Sequence, residues 1–102
     1  MEQDISTSFE KVELRPVIGL TQGLSSSDLE ALTVEAIRTH RTLVDEAEKL
    51  YEMLPDDYKV GKAVGGAQHL AYIRACIEMH AQMSALNTLL SIIGYIPKVS
   101  MN

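Results

Sequence analysis

The stretch AQHLAYIRACIEMHAQMSALNTLLSIIG, residues 67–94, decides the fold of this 102-residue chain. Its apolar residues recur every three or four positions, which is the spacing of a helix face, and no formal charge stands between Glu78 and Lys98. Gly94 follows the last residue of the pattern and Pro97 lies just beyond it, as is typical where a helix ends. The pattern predicts one long helix from about residue 67 to residue 93.

This helix is apolar on most of its sides. Its apolar residues form two rows and a flank, namely Ile73, Cys76, Met83 and Leu90; Tyr72, Met79, Leu86 and Ile93; and Leu70, Ile77 and Leu89. A helix that is apolar on most sides must be covered on most sides, and one partner helix can cover only one of them. The pattern therefore predicts self-association, with this helix at the centre of the assembly.

A second long helix is expected at about residues 28–54. Ser27 and Glu30 have the spacing of a capping box, in which each side chain accepts from the other residue's amide. Pro55 disfavours the helical conformation of the residue before it and so ends the helix. On the charged face, Asp45 and Lys49 stand in the order that favours an i,i+4 ion pair. Residues 55–66 then form a connection, in which 56–62 can hold a turn or two of helix.

The N-terminal part is expected to hold little regular structure. Residues 1–11 are polar and charged, which is typical of disorder. Residues 12–24 are apolar but are broken by Pro16, Gly19 and Gly23, so an ordered arm or one short helix from about Pro16 is expected. The whole chain, 1–102, is therefore predicted to be one all-α domain: two long antiparallel helices, a helical hairpin, with a short N-terminal arm or helix, pairing into a homodimeric helical bundle.

Charge and composition narrow the function. The net charge is −5, whereas a nucleic-acid binder normally presents a basic surface to phosphates, so direct binding of DNA or RNA is not expected. The same acidity can attract a basic protein. A single cysteine, Cys76, excludes an intramolecular disulfide. The acidic N-terminus does not resemble a secretory signal and no run of 18 apolar residues is present, so a cytoplasmic protein without a membrane partner is expected.

No metal or cofactor is expected. His69, Cys76 and His80 lie on one face of the predicted helix, but His69 and His80 are about 16 Å apart along its axis and cannot share an ion. Cys76 and His80 could share one, yet zinc would need two further ligands from elsewhere. A small buried cysteine and a hydrogen-bonded histidine are the commoner interpretation of such a pair.

Catalysis is not expected either. Gly61 and Lys62 resemble a phosphate loop only superficially, because Ala63 stands where the motif needs Ser or Thr. The carboxylates of Glu52, Asp56 and Asp57 cluster in a polar stretch, whereas acid–base work needs burial to separate their pKa values. No nucleophile–base pair is evident, so the chain is predicted not to be an enzyme.

Two groups of residues are candidates for protein contacts. A Met-rich apolar stripe is typical of a core or a dimer seam, and the dimer-interface candidates are Ile73, Cys76, Met79, His80, Met83, Leu86 and Leu90. An apolar, Pro-stiffened tail is unusual where a solvated end is expected, and exposed apolar surface often marks a protein contact. The N-terminal arm sets a charge beside an apolar patch, as interface anchors do. The partner-binding candidates are Arg15, Ile18, Leu20, Tyr72, Tyr95, Ile96, Pro97, Lys98 and Val99.

Four segments resemble a known family. They are VELRPVIGLT at 12–21, AIRTHR at 36–41, IEMHAQMSALNTL at 77–89 and GYIPKV at 94–99. All four closely resemble the quorum-sensing antiactivator TraM family, which occurs with plasmid conjugal-transfer regulons, and the resemblance spans about residues 11–100. The long run from Ile77 to Leu89 makes it specific.

The resemblance implies both a fold and a function. Members of this family are two long antiparallel helices that pair into dimers. They bind the LuxR-type transcription activator TraR, block its binding to DNA and so repress conjugal-transfer genes. The alternative is a structural or chaperone-like helical dimer without a regulatory target, which would not need an apolar tail beyond the second helix.

Overall fold

The computed structural model describes residues 14–99. They form four helices: α1, Arg15–Thr21; α2, Ser26–Glu52; α3, Asp56–Lys59; and α4, Ala67–Ile93. Within this range there is no strand, and α2 packs against α4 in antiparallel fashion. The all-α hairpin with a short N-terminal helix is thus confirmed. The prediction of disorder at residues 1–11 lies outside the described residues.

The start of α2 differs from the sequence-based prediction. Ser25 is the N-cap, with extended backbone, and its Oγ accepts from the backbone N–H of Asp28 at 3.1 Å. Ser27 lies inside the helix, so the capping box predicted from Ser27 to Glu30 is wrong. Three consecutive serines can each cap a helix, and the one that lies farthest upstream does so here. The carboxylate of Glu30 takes no part in the cap and accepts from the hydroxyl of Tyr95 instead.

The connection between the long helices is ordered by short-range contacts. Glu52 is the last residue of α2, two residues before the predicted end, and the four-residue helix α3 follows Pro55. The backbone N–H of Gly65 donates to Nδ1 of His69 at 2.8 Å, which ties the end of the connection to the first turn of α4. The ring of Tyr58 lies edge-on to the ring of His69, with 5.4 Å between their centroids. His69 is therefore a structural side chain.

The core between α2 and α4 is narrow and aliphatic. Ala36, Leu86 and Leu89 are its buried residues, and Val17, Ile37, Met83 and Leu90 pack against them. Thr33 and Thr88 are the largest side chains with no exposed surface among the described residues. The hydroxyl groups of both threonines donate to carbonyl oxygens four residues earlier in their own helices, so burial leaves neither hydroxyl without a partner.

The segments before and after the hairpin are both fixed near the C-terminus of α4. At the C-terminus of α4, Gly94 adopts a left-handed conformation (φ +87°), and its N–H donates to the carbonyl of Leu90 at 2.9 Å. At the N-terminal side, the backbone N–H of Leu14 donates to Oγ1 of Thr88 at 2.8 Å and holds α1 beside the last turns of α4. Within residues 14–99, no helix is long and apolar enough to cross a membrane.

Candidate interaction surfaces

The helix α1 lies beside the last turns of α4 and presents most of its residues to solvent. Arg15 and Leu20 are exposed, and Leu20 has 82% of its surface accessible, while Ile18 is half-buried. Thr21 is buried, and its hydroxyl donates to the carbonyl of Val17 at 2.9 Å. The helix is therefore anchored by Leu14 and Val17 and leaves a charge and a large apolar side chain free.

The tail after α4 folds back onto α2. The hydroxyl of Tyr95 donates to Oε1 of Glu30 at 2.9 Å, and Pro97 is buried. Both residues thus make contacts within the chain. Ile96 remains 76% exposed, Lys98 is exposed and Val99 is half-buried.

The hydrogen bond to Glu30 raises the pKa of Tyr95 above its ordinary value, because the phenol must keep its proton in order to donate. Partial burial and the negative charge of Glu30 act in the same direction.

The sequence-predicted partner-binding residues fall into two separate places. Those in α1 and in the tail lie at one end of the molecule, and we call the exposed ones, Arg15, Leu20, Ile96 and Lys98, together with the half-buried Ile18 and Val99, the α1–tail surface. Tyr72 lies 21 residues before the end of α4, about 32 Å away along the helix axis. The structure therefore does not bring Tyr72 together with the others.

Tyr72 contributes to an open groove between α2 and α4, which we call the interhelical groove. Its volume is about 780 Å³, and it is lined by Val44, Asp45, Ala47, Glu48, Lys49, Tyr51, Glu52, Tyr72, Cys76 and Met79. The rings of Tyr51 and Tyr72 meet at a tilt of 51° with 5.6 Å between centroids. A hydrogen bond with the thiol of Cys76 is the main cause that raises the pKa of Tyr72, followed by burial.

One side of the interhelical groove is acidic. Asp45, Glu48 and Glu52 follow one another at helical spacing, and among the described residues none of them makes an ion pair. The ion pair expected between Asp45 and Lys49 is therefore wrong. A further cation, Nζ of Lys59, lies 5.3 Å from the centroid of the Tyr51 ring and donates to the carbonyl of Glu52.

Some of the residues predicted for the dimer interface pack between α2 and α4, and others are exposed to solvent. Leu86 is only 6% exposed, Met83 and Leu90 pack on the same core, and Cys76 and Met79 line the interhelical groove. Ile73 and His80 are exposed. Leu86 therefore has little surface left to offer a second copy, although the proposed dimer itself stays a prediction.

The most exposed apolar side chains of α4 are ones the interface prediction left out. Leu70 and Ile77 are exposed, and with Ile73 they stand at i, i+3 and i+7 on one side of the helix. We call these three residues the outer stripe. All three residues belong to the apolar pattern of the helix. The pattern alone does not indicate which row of apolar residues faces α2.

No metal site is evident in the part of the chain that the structure describes. Across residues 14–99, no three side chains of His, Cys, Asp or Glu come together in a way that could hold a metal ion. The remaining features of the described surface are apolar patches with charges beside them.

Comparison with known protein families gives one consistent result. The family Prok-TraM, described as prokaryotic transcriptional repressor TraM, matches residues 1–98. The chain is 60% identical over 102 residues to a transcriptional repressor TraM of Agrobacterium fabrum strain C58 and 61% identical over 102 residues to one of Rhizobium radiobacter, and each alignment covers all of both chains.

A solved structure is similar as well. The crystal structure of a second quorum-sensing antiactivator, TraM2 from A. tumefaciens strain A6, superposes with a TM-score of 0.85 at 66% sequence identity. The superposition covers 86% of this chain and 99% of the other.

Proposed function

The chain belongs to the Prok-TraM family of transcriptional repressors, and from that premise we propose that it is an antiactivator that binds a LuxR-type quorum-sensing activator, blocks its binding to DNA and so represses conjugal-transfer genes. The solved relative is itself described as a quorum-sensing antiactivator. The family is regulatory, and the proposal assigns this chain a protein target and no reaction.

The α1–tail surface is the observation that carries the proposal. Two highly exposed aliphatic side chains, Leu20 and Ile96, and two exposed cations, Arg15 and Lys98, lie at this end of the molecule. Leaving a large aliphatic side chain in water forgoes roughly 1.5–3 kcal/mol of burial energy. An apolar patch with a polar rim is typical of protein-binding sites.

The mechanism follows from what such an activator needs. Its two helix-turn-helix domains must reach half-sites about one helical turn apart. An inhibitor could cover their basic surface, or it could grip the domains elsewhere and hold them at the wrong separation. We favour the second route, because the exposed contacts at the α1–tail surface are mainly apolar and charge contributes more to association rate than to affinity.

The proposal includes a homodimer. The outer stripe presents three aliphatic side chains along one side of α4, and pairing two such stripes would complete a helical bundle around α4. Ile73 and His80 belong to the interface predicted from the sequence and also lie on this exposed side, whereas Leu86 does not. A two-fold dimer would match the two-fold symmetry of a dimeric activator.

A structural or chaperone-like helical dimer is the second candidate function. It would use the outer stripe but would have no use for the α1–tail surface. The two candidates therefore differ in whether a defined change at that surface abolishes binding of an activator.

The test uses a matched pair of exposed aliphatic positions. Leu20→Asp should abolish co-purification with a LuxR-type activator, because it places a carboxylate in the apolar contact. Val64→Asp, at a position 79% exposed in the connection between the long helices, should leave co-purification unchanged. Circular dichroism should show the same helicity for both.

Removal of residues 95–102 gives an independent check. It should leave most of the helicity but weaken binding, because it removes Ile96 and Lys98. Equal binding by wild type, Leu20→Asp and the truncated chain would contradict the proposal, as would the absence of any binding by the wild type.

A further inference from the structure

We propose that the interhelical groove is a second contact region that receives a basic amphipathic helix of a protein partner. The inference rests on the proposed function, since it concerns how the same partner is held. It also gives a role to Tyr72, which lies too far from the α1–tail surface to take part in that contact.

The groove floor suits apolar side chains of a helix. Tyr51, Tyr72, Cys76 and Met79 form a surface of aromatic rings and sulfur atoms, and such groups adapt to ligands of varied shape while tyrosines keep a polar handle. The α2 side of the groove extends from residue 44 to residue 52, which is about 12 Å or two helical turns. An open groove of this length fits a short amphipathic helix better than it fits a compact small molecule.

The groove rim selects for positive charge. Asp45, Glu48 and Glu52 contribute three carboxylates and Lys49 one ammonium group to the lining, and the carboxylates make no ion pair among the described residues. Lys59 already rests on the ring of Tyr51, so a cation is favoured at this edge. Carboxylates in this arrangement would steer a basic helix towards the groove and raise its association rate.

A second copy of the chain is a poorer occupant. A two-fold dimer formed through the groove would bring the carboxylates of one rim close to those of its partner. The outer stripe on α4 offers aliphatic surface without that repulsion. Nucleic acid is excluded as an occupant, because its phosphates would face the same carboxylates.

The test measures binding of two synthetic peptides to the full chain. Both are 18-residue amphipathic helices with the same leucine pattern, and the other positions carry lysine in one and glutamate in the other. Because the chain has no tryptophan, a change in tyrosine emission reports binding, and two of its four tyrosines, Tyr51 and Tyr72, line the groove. The lysine peptide should bind and the glutamate peptide should not.

Charge reversal locates the binding. Glu48→Lys should weaken the lysine peptide about tenfold, and Glu35→Lys, which reverses an exposed carboxylate of α2 outside the groove, should change its affinity less than twofold. With the activator, Glu48→Lys should slow association several-fold at low salt, and the difference should shrink as salt rises. Thermal melts confirm that both variants are folded.

Three outcomes would overturn the inference. Equal weakening by Glu48→Lys and Glu35→Lys would show diffuse attraction to an acidic protein. A monomeric Glu48→Lys variant beside a dimeric wild type would place a second copy in the groove. Unchanged activator association in Glu48→Lys would leave the groove without a role in that complex. If the wild type binds the lysine peptide through the groove but binds no activator, the proposed function fails and the groove stands as a site for basic helices.

Discussion

At the residue scale, Thr88 fixes the position of α1. Its side chain has no exposed surface, and Oγ1 accepts from the backbone N–H of Leu14 while the hydroxyl donates to the carbonyl of Ser84. Thr88→Val keeps the shape but leaves the Leu14 amide without an acceptor, which should lower the free energy of unfolding by about 1 kcal/mol. Urea denaturation followed by circular dichroism measures the change.

Thr33 provides the matched control for this prediction. It is equally buried, but its hydroxyl donates only to the carbonyl of Leu29 in its own helix. Thr33→Val should therefore cost less, by about half or more, and it should not affect activator binding. If the two variants were equally destabilised, the bond from Leu14 to Thr88 would not be what holds α1 in place.

Tyr95 gives a prediction about pH. Its pKa is raised by the hydrogen bond to Glu30, so the bond contributes its full stability below the ordinary pKa of a tyrosine, about 10. The contribution is lost as pH rises through the raised pKa, because a phenolate cannot donate. Titration of the tyrosine Cζ resonances by NMR should show Tyr95 ionising above its usual range.

Glu30→Gln tests the cause of that shift. The neutral amide removes the charge of the acceptor, so the pKa of Tyr95 should fall towards its ordinary value. Glu35→Gln, on the same helix but without a contact to the tail, should leave it unchanged. An unshifted Tyr95 in the wild type would mean that the tail is not held on α2.

Sequence reasoning found some of these residues and missed others for a physical reason. Gly94 follows a regular pattern and is recognisable from its neighbours in the chain. Thr88 and the pair of Tyr95 and Glu30 act across 74 and 65 positions of sequence, and no local pattern indicates such contacts. A threonine within an apolar run is the one hint that a buried acceptor is needed there.

At the element scale, Gly94 ends α4 in the left-handed conformation. Gly94→Ala should lower the free energy of unfolding by roughly 1 kcal/mol, because an L side chain is strained at positive φ. Gly19→Ala is the control. Gly19 lies inside α1 without positive φ and with nothing within 4 Å of an added Cβ, so alanine there should stabilise slightly. Denaturation curves that move in the same direction for both variants would contradict this assignment.

The two long helices show how far local signals reach. The sequence predicted α4 at about 67–93, and the helix runs from Ala67 to Ile93, because a strong apolar pattern ends at a glycine. The predicted start of α2 was two residues too late, since three successive serines offer equivalent caps and tertiary packing selects among them. The local sequence pattern is therefore enough to predict that each helix forms, but it does not determine which serine caps α2.

At the scale of the whole molecule, the proposed dimer separates two substitutions in α4 that look alike in sequence. Ile77 is 62% exposed and Leu86 is 6% exposed. Ile77→Arg should give a folded monomer, because it places a charge in the interface of the dimer but not in the core of one chain. Leu86→Arg should unfold the chain, because it buries a charge without a partner. Light scattering and circular dichroism distinguish the two results.

The dimer proposal has a clear point of failure. A wild type that is monomeric at micromolar concentration would contradict it, and a dimeric Ile77→Arg variant would move the interface away from the outer stripe. The sequence indicated self-association from the sheer number of apolar residues on α4. It could not assign the interface, because the row that faces α2 is decided by how the hairpin closes.

The partner-binding residues show the same limit. The sequence indicated both the arm and the tail, which the fold brings to one end of the molecule through the contacts of Leu14 and Tyr95. It gave no sign that Tyr72 lies elsewhere, beside an acidic rim. Which of several apolar residues share a surface depends on how α2 packs against α4, and their positions along the chain do not reveal it.

A gel-shift titration tests the central claim most directly. A purified LuxR-type activator is bound to its operator DNA, and increasing amounts of this protein are added at fixed, moderate salt. The account predicts that the activator–operator band disappears as the protein approaches the concentration of the activator, without a band for this protein on DNA alone. An activator–operator band that persists at a large excess of the protein would contradict it.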